Sequence, residues 1–253
     1  MPDVAGWLLL GATLSSMVLV AAALLRAQHV GLDLRVWTAV GRAVLQLCMV
    51  ALLLRAVLQW WWALVLFVAL MLTTASLTGA GRAKRLPRGR VAALLGILAG
   101  PAVSVSIILA TGIVDRTSEQ VIAICGILIG NAMTASTLSL RQFGNLLDTR
   151  RPEVEAWLAL GATPPQSVAE LRVKAIHEAL VPNLDQTRST GLVTLPGAFV
   201  GALFGGASPV GAAIFQVIVL VGILLTQVVT SSVATWWAAR SPLLPVPEET
   251  TKG

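Results

Sequence analysis

Apolar residues occur along the chain in long runs without charge. Residues 6–25 and 91–114 contain no Asp, Glu, Lys or Arg. A helix of about 20 residues, rising about 1.5 Å per residue, covers the hydrocarbon thickness of a bilayer of about 30 Å. Because backbone polar groups in lipid must bond within the segment, each run predicts a membrane-spanning helix.

The same pattern recurs along most of the chain and predicts an all-α polytopic membrane protein with about seven transmembrane helices. The predicted spans are about 5–25, 36–54, 60–78, 91–113, 120–139, 191–206 and 210–238. Together they form one predicted transmembrane domain over 1–240, followed by a disordered tail over 241–253. Composition agrees, since 56% of the residues are hydrophobic and only 12% charged, against about 25% charged in globular domains.

The basic residues predict the orientation. An odd number of spans places the two termini on opposite sides of the membrane. With the N-terminus outside, most of the 18 Lys and Arg residues fall in cytoplasmic loops, as the positive-inside rule requires. The sequence therefore predicts a multi-pass protein of the cytoplasmic (inner) membrane, with its N-terminus outside and its C-terminus cytoplasmic. The net charge of +6 is explained by this topology and does not indicate nucleic acid.

The longest polar stretch, about 141–190, predicts a cytoplasmic helix-turn-helix element. Residues 153–161 form a predicted short helix ended by Gly161. Thr163-Pro-Pro-Gln166 then provides a cap, a proline at the first helical position and a capping box. The second predicted helix continues to about Leu180, where Val181-Pro182 ends it.

The first of these helices resembles a known motif. Glu155-Ala-Trp-Leu-Ala-Leu-Gly161 is similar to the Glu-Ala-Ala, three residues, Gly core of the coupling motif of ABC-transporter permeases, the loop that docks on the ATPase subunit. Trp157 stands where the second alanine is usual, and Leu171-Arg-Val-Lys174 lacks the proline common downstream. The ATPase-coupling residues implied by this resemblance are Glu153, Glu155, Ala156, Trp157, Gly161 and Leu171.

Longer strings are similar to the FetB-type permease family. They include Gly130-Asn-Ala-Met-Thr-Ala-Ser-Thr137, Ala179-Leu-Val-Pro-Asn-Leu-Asp185 and Gly191-Leu-Val-Thr-Leu-Pro-Gly-Ala-Phe-Val-Gly201. The resemblance covers essentially the whole chain. It implies the permease subunit of an ABC exporter of a small solute, iron or another metal or chelate, with plant relatives linked to aluminium tolerance.

The resemblance also implies partners. The chain contains no Gly-x-x-x-x-Gly-Lys-Ser/Thr phosphate loop, so we expect no cofactor or catalytic residue on this chain and ATP on a separate ABC ATPase subunit. One seven-helix unit is half of the usual membrane complement, which favours a homodimer.

Few side chains in the predicted spans have polar or charged groups that bind a transported solute. The spans contain no Asp, Glu or His, so no metal site is predicted. Arg42, with Gln46 one turn further, is a candidate for the substrate path, although Arg42 would equally snorkel to the interface. Asn131, Thr134 and Gln216 are further candidates, and hydrogen bonding between helices is the alternative for them.

The sixth predicted span contains Pro196, Gly197, Gly201 and Gly205. This spacing indicates close helix packing or a hinge, as does the pair Gly96 and Gly100. The alternative function is an ATP-independent secondary carrier or channel for a small anionic or oxygen-rich solute. Such proteins usually carry acidic or histidine relays, which the predicted spans lack.

Overall fold

The computed structural model describes residues 4–29, 31 and 33–241. Across that part of the chain the regular secondary structure is α-helical, with only an isolated bridge between Thr190 and Thr194. The helices are α1 (Val4–Ala27), α2 (Asp33–Val57), α3 (Trp61–Arg82), α4 (Gly89–Thr111), α5 (Ser118–Thr149), α6 (Arg151–Ala159), α7 (Pro164–Ser167), α8 (Ala169–Ser189), α9 (Gly197–Phe204) and α10 (Pro209–Ala239). The predicted tail, apart from Ser241, lies outside the described residues.

Six helices are long and apolar enough to cross a membrane within the described part of the chain: α1, α2, α3, α4, α5 and α10. The prediction of an all-α polytopic membrane protein is confirmed. The predicted span at 191–206 is wrong, because its helix α9 has only eight residues, or about 12 Å. Pro196 precedes α9, and Gly206, with φ at +91°, ends the turn after it.

The polar stretch also differs from its prediction. The second predicted helix ends near Leu180, whereas α8 continues to Ser189 with Pro182 inside it. Proline removes one backbone donor and does not always end a helix when packing holds both sides. The capping box is present, since Oε1 of Gln166 accepts a hydrogen bond from the Thr163 N–H at 2.8 Å.

The chain divides into two compact units, residues 1–60 and 61–253. The first unit pairs α1 with α2. Nearly all of its described side chains are exposed, and they are mostly apolar. Lipid is the environment in which such a surface is stable.

The second unit is a bundle whose helix directions follow from two core clusters. At one end Ala93 of α4, Phe143 of α5 and Ala234 of α10 pack together. At the other end a second cluster joins Ile108, in the C-terminal part of α4, to Leu128 and Val219, in the N-terminal halves of α5 and α10. Therefore α4 is antiparallel to α5 and α10, while α5 and α10 run parallel to each other.

We call the two ends of this bundle the basic end and the far end. The basic end contains residues 82–90, where α3 ends and α4 begins, together with the C-termini of α5 and α10. There Nη1 of Arg88 donates to the carbonyl oxygen of Arg240 at 2.9 Å. The far end contains Gly112–Thr117 between α4 and α5, and Ser208 at the N-terminus of α10.

Glycines let α4 approach α10 closely. A Cβ added at Gly96 would lie 2.8 Å from the carbonyl oxygen of Thr230, and one at Gly100 would lie 2.6 Å from that of Thr226. The predicted packing role of these two glycines is confirmed. Beside them Oγ1 of Thr226 donates to Oγ of Ser104 at 2.8 Å, so a buried polar bond completes the contact.

We predict that Gly100→Ala separates α4 from α10. Overpacking a close helix contact costs about 1–3 kcal/mol, so the melting temperature in detergent should fall. Gly130→Ala is the matched control, because a Cβ at Gly130 would meet no atom within 4 Å, and alanine is the better helix former. Equal melting temperatures for the two variants would contradict this contact.

Candidate functional site

Helix α6 is held firmly at the basic end. Its Val154 is 1% exposed and packs in the cluster that contains Phe143 and Leu171. Pro152 lies in its first turn, where the missing N–H costs no helical bond. Two ion pairs hold its start, Arg150 to Glu153 at 3.5 Å and Arg151 to Glu155 at 3.3 Å. The helix is therefore a rigid attachment rather than a loose loop.

The outer side of this element is apolar and exposed. Trp157 is 52% exposed and Leu160 is 81% exposed. Gly161, with φ at +89°, adopts the left-handed conformation that ends helices sharply. We call Trp157, Leu160 and Gly161, with the exposed Glu153, Glu155 and Ala156, the α6 surface. An exposed tryptophan on a fixed helix is typical of a protein–protein anchor.

One predicted coupling residue does not belong to the α6 surface. Leu171 is 2% exposed and lies in the same cluster as Val154. In this structure it packs α8 against the bundle and offers no surface to a partner.

A basic cleft lies in the same end of the bundle. Its cavity of about 480 Å³ is lined by Arg82, Arg85 and Arg141 together with Thr137 and apolar residues. Arg85 forms an ion pair with Asp148 and donates to Oδ1 of Asn145 at 3.3 Å. The positive-inside rule accounts for these arginines by topology. The cleft was not predictable from the sequence, because residues 82, 85 and 141 become neighbours only when α3 packs on α5.

Asn131 of the predicted substrate path bonds to a neighbouring helix. Nε2 of Gln227 in α10 donates to Oδ1 of Asn131 in α5 at 3.1 Å. Thr134 is exposed and donates to the carbonyl oxygen of Gly130 in its own helix at 3.2 Å. For Asn131 the structure favours the interhelical alternative.

Gln216 holds the short helix α9 against α10. It is 5% exposed, and its Oε1 accepts a hydrogen bond from the backbone N–H of Phe199 at 3.1 Å. Phe199 lies in the first turn of α9, where backbone donors lack helical partners. The residue before the helix is Pro196, which provides no capping side chain, so Gln216 acts as the cap from another helix.

A second cavity lies at the far end. It has about 680 Å³ and is lined by α9, by the N-terminus of α5 with Glu119, and by Asp115. Gly201 and Gly205 line it. A Cβ added at Gly197 or Gly201 would meet no atom within 4 Å, so the close packing predicted for these glycines is not made within the described chain.

Arg42 and Gln46 are both exposed in α2, one turn apart.

No group of three or more His, Cys, Asp or Glu side chains capable of holding a metal ion occurs among the residues described. The two cysteines are unpaired, Cys48 being exposed and Cys125 buried.

These features define a class of protein. A multi-pass membrane protein has long apolar helices, and its polar side chains form hydrogen bonds mainly within or between those helices. This chain has both features, together with a rigid exposed element at its basic end.

The chain belongs to the Uncharacterised protein family UPF0014, which it matches over residues 8–242. It is 33% identical over 230 residues to the UPF0014 membrane protein STAR2 of Oryza sativa subsp. japonica, covering 89% of this chain and 80% of that protein. It is 32% identical to the protein ALUMINUM SENSITIVE 3 of Arabidopsis thaliana, covering 87% and 82%. It is 29% identical to the probable iron export permease protein FetB of Escherichia coli K12, covering 88% and 87%. No solved structure matches the chain.

We predict that Gln216→Leu releases α9 from α10. The leucine keeps the side-chain volume but leaves the Phe199 N–H without its acceptor, which costs about 1–3 kcal/mol when the donor stays buried. Amide hydrogen exchange at Phe199 should accelerate, while α4 should stay protected.

The neighbouring exposed residue Val217 provides the control, as Val217→Leu changes no hydrogen bond. Unchanged exchange at Phe199 in Gln216→Leu would show that the cap contributes nothing.

Proposed function

We propose that this chain is the membrane-spanning permease subunit of an ABC exporter. It moves a small solute across the cytoplasmic membrane and is driven by a separate ATPase subunit. The observation that carries the proposal is the α6 surface, in which Trp157 and Leu160 are exposed on a rigid element whose sequence resembles the ABC coupling motif. The relative named a probable iron export permease supports the transport function.

The packing of α6 supports a mechanical role. Val154 lies in the cluster that joins α4, α5, α8 and α10 at the basic end. Nη1 of Arg150, at the start of α6, also lies 3.2 Å from Oε1 of Glu170 in α8. Since packed helices move as rigid bodies, displacement of α6 by a partner reaches these helices directly.

The distribution of charge supports a cytoplasmic position for this end. The basic end carries Arg82, Lys84, Arg85, Arg88, Arg90, Arg141, Arg150 and Arg151, whereas the segment Gly112–Thr117 at the far end carries only Asp115 and Arg116. Positive loops stay on the cytoplasmic side. An ATPase in the cytosol therefore reaches the α6 surface.

The rest of the proposal concerns the assembly and its cargo. The subunit is non-catalytic, ATP binds the partner, and two copies of the chain form the transport unit with two ATPases. The cargo is iron or another metal or chelate, a proposal supported by the printed name of the Escherichia coli relative.

We predict that Trp157→Ala weakens binding of the ATPase subunit by about 30-fold or more, the cost of losing an interface anchor of at least about 2 kcal/mol. The measurement is affinity of the purified ATPase for the chain in nanodiscs. Trp61→Ala is the matched control, because Trp61 is 79% exposed at the start of α3, at the far end of the bundle.

Reconstituted transport separates the two functions considered. Export that needs the ATPase and ATP supports the ABC subunit, and we expect Trp157→Ala to lose it. Solute flux without any ATPase, driven by an ion gradient and unaffected by Trp157→Ala, would overturn the proposal in favour of a secondary carrier.

A further inference from the structure

The parallel arrangement of α5 and α10 imposes a condition on the chain between them. Both helices cross the membrane, and both run from the far end to the basic end. The chain leaves α5 at the basic end and must enter α10 at the far end. Residues 150–208 therefore cross the bilayer once, although no apolar span was found among them.

Only α8 is long enough to make this crossing. It has 21 residues, or about 31 Å, whereas α6 has nine, α7 four and α9 eight. The start of α8 lies at the basic end, where Leu171 and Ala175 share a cluster with Ala234. The far end is reached by α9, since Phe199 bonds to Gln216 near the start of α10.

The packed face of α8 shows that it lies along the bundle. Its buried residues, Leu171, Ala175, Ala179 and Asn183, recur every four positions, which places them along one side of the helix. The spanning helices that pack against α8 are α5 and α10.

The depth of α8 follows from its neighbours. Gly100, near the middle of α4, packs against Thr226 and Thr230, so these threonines lie near the bilayer mid-plane. Arg172 and Ile176 share a groove with Trp236. Because the rise per residue is the same in α8 and α10 and the two helices run in opposite directions, Glu178 reaches the level of Thr230.

The outward side of α8 carries charged residues in both halves of the helix. Its exposed ionisable residues are Glu170, Lys174, His177, Glu178, Asp185 and Arg188. At 3.6 residues per turn they fall within an arc of about 100°. Asp185 and Arg188 form an ion pair of 3.5 Å, and His177 lies 4.0 Å from Glu178. Lipid does not accommodate such a face, because charges at membrane depth require water or a polar partner.

We propose that α8, continued by α9, is the seventh membrane crossing and that its charged face lines a hydrated path for ionic solutes. The placement of α8 stands on the directions, lengths and packing of the helices, while the transport of cargo along it rests on the proposed function. The path contains the Asp, Glu and His side chains at membrane depth that the predicted apolar spans lack.

Cysteine labelling tests the hydrated path in membranes without any ATPase, so its outcome does not depend on the proposed function. Cys48→Ser with Cys125→Ala gives a background without thiols. Asp185→Cys is then compared with Val221→Cys, which lies at a similar depth on α10 and is 61% exposed. We expect a charged thiol reagent to label position 185 at least about ten-fold faster than position 221, because only the former faces water.

A second pair keeps the test decisive if the first variant misfolds. Glu178→Cys is compared with Val228→Cys, again an exposed residue of α10 at similar depth. Labelling of both α8 positions as slow as that of their α10 controls would overturn the hydrated path.

Spin-label distances test the crossing itself. With labels at Arg188 and Ser208 we expect a separation of about 20 Å, from the helical rise per residue. With labels at Arg188 and Ser241 we expect a separation of about 30 Å on the same basis. A longer distance from Arg188 to Ser208 than to Ser241 would place the end of α8 at the basic end and overturn the crossing.

Discussion

The close contact between α4 and α10 fixes the depth of the other elements in residues 61–241. Gly96 and Gly100 have no side chains to hold the helices apart, so the backbone oxygens of Thr226 and Thr230 lie against them. In lipid no hydrophobic force drives two apolar helices together, and close packing with a few polar bonds has to do so. Once α10 is set against α4, the direction of α5 and the position of α8 follow from the clusters at the two ends.

The sequence alone predicted the features that depend on local composition. Runs such as 91–113 identified α4, and the all-α polytopic class is confirmed. The failure at 191–206 has a physical cause, since hydropathy counts apolar residues and ignores that Pro196 and Gly206 limit the helix to eight residues. The predicted end of the second cytoplasmic helix near Leu180 was wrong, because Pro182 lies inside α8, which continues to Ser189.

The candidate site was predictable only in part. The motif around Trp157 identified an exposed element, whereas Leu171, which the resemblance also implied as a coupling residue, is buried in the structure. The bond of Gln216 to Phe199 and the cleft of Arg82 with Arg141 join residues far apart in the chain. Contacts of this kind depend on how helices pack, and a single sequence does not contain them.

The α6 surface at the basic end is joined to the charged helix α8 by the ion pair of Arg150 with Glu170. The most direct test is hydrogen–deuterium exchange of the chain in nanodiscs, with and without the proposed ATPase subunit. Binding of the ATPase at the α6 surface predicts slower exchange in residues 151–162 and unchanged exchange in residues 112–117. Protection confined to 112–117, or no change in 151–162 at saturating ATPase, would contradict it.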